Sequence, residues 1–102
     1  MYSLEYLPIA KRDMVDIAKY IGIKLANPDA ADRQAEEMIE AAESLRNMPY
    51  MCPMYYPVKP LKHEYRKLIV HNYIMFYWVD EDNKLVTIAR VVYSGRDYEK
   101  LL

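Results

Sequence analysis

Glycine is almost missing from this 102-residue chain: Gly22 and Gly95 are the only two. No glycine-rich loop is therefore available to wrap a nucleotide phosphate. Cysteine occurs once, as Cys52, so no internal disulfide forms and a reducing compartment fits best. No partner motif surrounds Cys52, which reads as a small apolar residue in a loop or at a core edge rather than a nucleophile. No paired Cys or His stands at metal spacing, and no Ser-His-Asp signal is present. His63 and His71 flank a strand eight positions apart, which is not ligand spacing, and both read as surface or turn residues. No cofactor and no metal are expected. No apolar run approaches the ~18 residues of a membrane span, and the N-terminus lacks a basic segment followed by an apolar stretch. A cytosolic, soluble protein with no membrane partner is the expectation.

What is present is apolar and aromatic. Hydrophobic residues make up 53% of the chain and tyrosine occurs eleven times, enough for one compact core over residues 1–102 and too much for disorder. Charge is nearly balanced, with fourteen Lys or Arg against fifteen Asp or Glu, but it is unevenly spread. Residues 1–50 carry six basic and nine acidic groups, a net −3, and residues 51–102 carry eight and six, a net +2. Any anionic partner should meet the second half.

Periodicity orders the chain. Residues 2–7 alternate well enough for a short first strand, which Pro8 ends. Ala10, Met14, Ile17, Ala18, Ile21 and Leu25 recur at three-and-four spacing, predicting a helix over about 9–26 whose last turn Gly22 weakens. Asn27 followed by Pro28 is a helix restart, because Asn caps free amides and proline suits the first helical position. Ala31, Ala35, Met38, Ala42 and Leu45 then line one face of a second helix, and Arg33, Glu36, Glu37, Glu40 and Glu43 its solvated face. The short break makes the two helices an antiparallel hairpin. Residues 47–60 hold four prolines, three tyrosines and three methionines; no helix forms there, and a loop packed over the sheet edge is expected, with an adaptable partner-binding surface as the alternative. Strands follow at 64–70, 72–79 and 84–92, joined by a tight turn at His71-Asn72 and a longer one over Asp80 to Asn83. The run NYIMFYWV is apolar on both faces, as a central strand covered on both sides would be. The fold class is thus α+β: an N-terminal strand, an antiparallel helix hairpin, then a three-stranded antiparallel meander, with the helices on one sheet face and the other face only partly covered.

The second half also interleaves Lys59, Lys62, Arg66, Lys67, Arg90, Arg96 and Lys100 with Tyr65, Tyr73, Tyr93 and Tyr98. Arginine for phosphate and tyrosine for base stacking is a pairing used in RNA handling, and half-exposed sheets with no such role carry it too.

The N-terminal strand, the helix hairpin joined at NPDAA (27–31), the exit LRNMP (45–49), the strand pair YRKLIVHNYIMFYWV (65–79) and the tail GRDY (95–98) together resemble the RelE/ParE superfamily of toxins from bacterial type II toxin–antitoxin modules, the plasmid-stabilisation family. The similarity covers nearly the whole chain, carried by the order of the motifs rather than any one of them. It implies an antitoxin partner whose extended, partly helical segment wraps the toxin in a hetero-oligomer. It also implies one of two targets: messenger RNA in the ribosomal A site, cleaved by the RelE-like branch, or DNA gyrase, poisoned by the ParE-like branch.

RelE-like nucleases place an arginine just before the apolar stretch of the third strand, and Ile74 fills that slot here. They are strongly basic, whereas this chain has a pI near 6.1. The run YIMFY looks more like ParE, which makes inhibition of gyrase through protein contact the first reading. The alternative is a metal-independent, ribosome-dependent endoribonuclease and growth inhibitor of the mRNA-interferase type. Its catalytic residues would be Arg66, Arg90, Tyr93, Arg96 and Tyr98, a tyrosine or another group taking the 2′-hydroxyl proton while arginines stabilise the phosphate. A third reading is an inactive module that keeps only antitoxin binding and operator co-repression. Whether the chain is an enzyme stays open at this point.

Overall fold

The computed structural model describes residues 1–57 and 59–102; Val58, inside the proline-rich stretch expected to form a loop, lies outside the described residues. The chain begins with β1 (Ser3–Tyr6) and turns directly into α1 (Pro8–Lys19). Pro8 does more than end the strand. It occupies the first turn of α1, where its missing N–H costs nothing and its fixed φ favours the helix. The helix expected to reach residue 26 keeps its α form only to Lys19 and widens into a π turn over Tyr20–Lys24. Leu25 closes that turn by donating its N–H to the Tyr20 carbonyl at 3.1 Å, and Ala26 then takes a left-handed φ of 50°. The restart falls where Asn27 and Pro28 place it: the Asn27 side chain accepts from the Ala30 N–H at 3.1 Å and opens α2 (Pro28–Ser44).

β2 (Arg66–Val70), β3 (Tyr73–Asp80) and β4 (Leu85–Tyr93) form the antiparallel meander, and β1 lies parallel to β4, giving the sheet order β1-β4-β3-β2. His71 makes the two-residue turn between β2 and β3 at a φ of 55°, and its Nε2 contacts the Glu37 carboxylate of α2 at the surface. The β3–β4 register shifts between Phe76 and Tyr77, leaving Ala89 as an extra residue between the partners Arg90 and Ile88. The bulge bends β4 just where β1, whose last pair is Tyr6 with Ile88, stops covering it.

Two cores sandwich the sheet. On the helix side, Ala10, Met38, Ala42 and Leu45 pack onto Leu68, Val70, Met75, Tyr77, Val86, Ile88 and Val91. Tyr77 is completely buried, and its hydroxyl donates to the Pro49 carbonyl at 2.8 Å. Burial pushes that phenol well above its ordinary range. On the opposite side, Tyr65, Ile74, Phe76, Ala89 and Val92 are covered by Leu61 and Tyr55 of the loop and by Tyr98, Leu101 and Leu102 of the tail, which ends in the 3-10 turn Glu99–Leu101. This second face is better covered than the hairpin-and-meander pattern implied, because the C-terminal residues fold back over it. The proline-rich stretch guards the outer edge of β2 as expected. Tyr55 donates its N–H to the Tyr65 carbonyl at 2.8 Å, and Lys67 donates to Pro53 at 3.0 Å, so the edge strand presents fewer free groups to another chain. Cys52 is buried in the helix-side core, as its sequence setting implied. No helix among the described residues is long and apolar enough to cross a membrane.

Candidate functional site

A groove of about 450 Å³ lies between α1 and the far end of β4, lined by Asp13, Asp16, Ile17, Tyr20, Tyr73, Val91, Val92, Tyr93 and Arg96. Helical spacing builds one wall. Asp13, Asp16, Ile17 and Tyr20 recur at intervals of three and four, so all project from one side of α1 and its π turn. Strand pairing builds the other wall, since Tyr73 and Tyr93 are direct cross-strand partners with ring centroids 6.1 Å apart at 71°. Tyr73 is held above the ordinary phenol range by burial first, then by the neighbouring Tyr20 and Tyr93.

The floor is fixed by an ion pair. Arg90 donates through Nε to Asp13 Oδ2 at 2.8 Å and through Nη2 to Oδ1 at 2.9 Å, while the Val91 N–H donates to the same Oδ2 at 3.0 Å. Asp13 thereby satisfies a backbone amide of β4 that β1 is too short to reach. The remaining arm of Arg90 donates from Nη1 to the Leu101 carbonyl at 3.3 Å, tying the tail to the same junction.

The five residues singled out as a nuclease set occupy separate environments. Tyr93 and Arg96 are exposed and come together at the mouth of the groove. Arg90 is not part of the groove lining, and its guanidinium is occupied by Asp13 and the Leu101 carbonyl. Arg66 sits on β2, donating to the Cys52 carbonyl at 2.7 Å and the Tyr50 carbonyl at 3.4 Å, its guanidinium 5.0 Å from the centre of the Tyr50 ring. Tyr98 belongs to the opposite sheet face, with its ring 5.1 Å from Phe76 and 5.7 Å from Tyr55. Tyr93 shares the Tyr73 side and Tyr98 the Phe76 side, so the sheet stands between the two tyrosines. Asp13, Asp16 and Tyr20 were not singled out from the sequence. Their helical spacing was visible, but their opposition to Tyr93 depends on a contact across more than seventy positions.

A second, smaller concavity of about 250 Å³ lies at the β2–β3 end, lined by Tyr50, Met54, Lys62, His63, Glu64, Arg66, Trp78 and Val79. His63 stacks flat on Trp78 with centroids 3.7 Å apart and planes within 4°. A turn histidine with no partner in sequence thus becomes the cover of the single tryptophan. Among the described residues, no group of three or more His, Cys, Asp or Glu is placed to hold a metal ion.

A family model described as the ParE toxin of the type II toxin–antitoxin system parDE matches residues 4–98. The fold is similar to several solved structures. These include a chromosomal ParDE system of P. aeruginosa, at a TM-score of 0.73 with 19% identity over 91% of this chain and 96% of that one. They also include a RelBE toxin–antitoxin complex of Mycobacterium tuberculosis, at 0.61 with 21% identity over 93% of each chain. An archaeal RelE–RelB complex of Pyrococcus horikoshii matches at 0.62 with 12% identity, over 93% of this chain and 97% of that one. No curated protein matches the sequence.

Proposed function

The chain belongs to the ParE toxin family of type II toxin–antitoxin systems, and from that premise we propose that it is a non-enzymatic toxin that inhibits DNA gyrase by protein contact and is neutralised by a cognate antitoxin. The observation that carries the choice of mechanism is the dispersal of Arg66, Arg90, Tyr93, Arg96 and Tyr98. A metal-free nuclease needs a proton acceptor and phosphate-binding cations converging within about 3 Å of one reacting centre. Here Arg66 is bound to loop carbonyls, Arg90 is neutralised by Asp13, and Tyr98 packs behind the sheet. Only Tyr93 and Arg96 remain as an exposed pair, which suits a contact surface better than a catalytic centre.

Support for an antitoxin comes from what the helix hairpin leaves uncovered. Val15, Tyr20, Ile23, Leu25 and Ile39 are all exposed, with Ile23 at 78%. Apolar side chains left exposed across the hairpin are what a partner segment covers. The solved structures to which the fold is similar include a RelBE toxin–antitoxin complex and a ParDE toxin–antitoxin system, which supports an antitoxin as the partner that supplies this segment.

Induced expression, followed in the same cells by mapping of RNA ends and of plasmid supercoiling, tests the reading. Relaxed plasmid with intact messenger RNA is expected. Messenger RNA cut in the reading frame with normal supercoiling would replace the proposal by ribosome-dependent cleavage, and growth unaffected by soluble protein would leave only an antitoxin-binding co-repressor.

A further inference from the structure

The groove between α1 and β4 has a chemistry that a general contact surface does not require. Its three tyrosines stand around one space: Tyr20 on the helical side, and Tyr73 and Tyr93 meeting at 71° to form a corner on the strand side. Gly95 sets the second of these rings. A Cβ at that position would stand only 2.6 Å from Tyr93 Cε2, so the Tyr93 ring lies over bare backbone and any side chain there would push it away.

The charges around the rings are unequal in availability. Asp13 is spent on Arg90, whereas Asp16 and Arg96, both exposed, have no ion-pair partner among the described residues. We propose that this groove receives one basic side chain, an arginine or lysine, from an extended segment of the protein partner, with the tyrosine rings and Asp16 as its seat. The proposal rests on the reading that the chain has a protein partner and does not depend on which enzyme it poisons.

Four features fit that occupant. Aromatic faces beside a carboxylate attract a guanidinium or ammonium group by cation–π and Coulomb terms together. A volume of about 450 Å³ has room for a long basic side chain together with a neighbouring residue of the segment that carries it. β1 pairs with β4 only as far as Ile88, and beyond it the Val91 amide and the Tyr93 carbonyl are already taken by Asp13 and the Arg96 N–H, so a partner's backbone crosses over the groove and enters it by a side chain rather than by extending the sheet. Arg96 closes the end with positive charge, so a second cation is repelled and an acidic neighbour of the basic residue is favoured. A nucleic-acid backbone would instead bring its phosphates against Asp13 and Asp16.

The test uses the purified full chain carrying tyrosines labelled at the ring carbons, titrated with N-acetyl-arginine amide and, separately, with the neutral analogue N-acetyl-citrulline amide. Saturable shifts confined to Tyr20, Tyr73 and Tyr93 are expected with the arginine probe and none with citrulline. Asp16→Asn should weaken the arginine response about tenfold, the loss of one charge contact, with the other tyrosine signals unchanged. Should Asp16→Asn disturb the fold, Tyr93→Leu replaces it, with the same weakening expected. Equal responses to the two probes would overturn the proposal. So would arginine shifts as large at Tyr2 or Tyr56, or an unweakened response in whichever variant folds. The outcome is separable from the target reading: a chain that binds the arginine probe and leaves gyrase untouched keeps this site and loses only the proposed target.

Discussion

Replacing Asp13 by alanine should be among the most damaging single changes in the protein, although Asp13 looks in sequence like one more acidic residue on a solvated helix. The Asp13 and Arg90 side chains are only 14% and 15% exposed, and the carboxylate accepts three hydrogen bonds, two from Arg90 and one from the Val91 amide. Removing it leaves a guanidinium with little water and an orphaned strand amide. Breaking a buried pair from one side costs about 3 kcal/mol, and the orphaned amide about 1 kcal/mol more. For a domain of this size each kcal/mol lowers Tm by about 4–8 °C, so a fall of roughly 15 °C or more is expected. Urea unfolding followed by the fluorescence of Trp78, the single tryptophan, measures it. The double variant Asp13→Ala with Arg90→Met should be more stable than Asp13→Ala alone, because it removes the stranded charge. A loss under about 1 kcal/mol, or single-variant costs that simply add, would refute the view that this pair fixes the groove floor and the tail.

Three further outcomes follow from particular contacts. Tyr77→Phe strands the buried Pro49 carbonyl and should cost about 1–2 kcal/mol in the same unfolding assay. Because the native fold holds Tyr77 protonated above its ordinary value of 10.0, its contribution is fully present below pH 10 and is lost as pH rises beyond it; the wild type should therefore destabilise above pH 10, and Tyr77→Phe should lose less over that range. Ala26→Gly removes the strain of a left-handed alanine between the helices and should raise stability by up to about 1 kcal/mol, after the added chain entropy of glycine is counted. Arg96→Ala should abolish toxicity while the soluble level and the melting curve stay unchanged, since Arg96 is exposed at the groove mouth; growth and soluble protein measured in the same induced cells decide it.

Much of the architecture was legible because local chemistry and tertiary structure agree. Asn27-Pro28 marks a helix start by its own capping physics, and the two-sided apolar run 73–79 admits only a strand covered on both faces. The end of α1 was harder to read. The apolar spacing continues through Ile21 and Leu25, but the helix widens at Tyr20 and leaves Leu25 56% exposed. Coverage of the second sheet face was hidden for a different reason: Tyr98, Leu101 and Leu102 are too few and too close to the C-terminus to show a period. The groove was least legible. Arg90 and Asp13 are 77 positions apart, and nothing in either neighbourhood says that the basic residue is neutralised. Arg66 likewise looks available until the carbonyls of Tyr50 and Cys52 are seen around it.

The most direct test of the proposed function is a supercoiling reaction with purified DNA gyrase, relaxed plasmid and ATP, to which the purified chain is added alone and then after preincubation with its antitoxin. Loss of supercoiling by the wild type, its retention with Arg96→Ala, and its restoration by the antitoxin are predicted. Full gyrase activity in the presence of a folded chain that still arrests growth in cells would contradict the account.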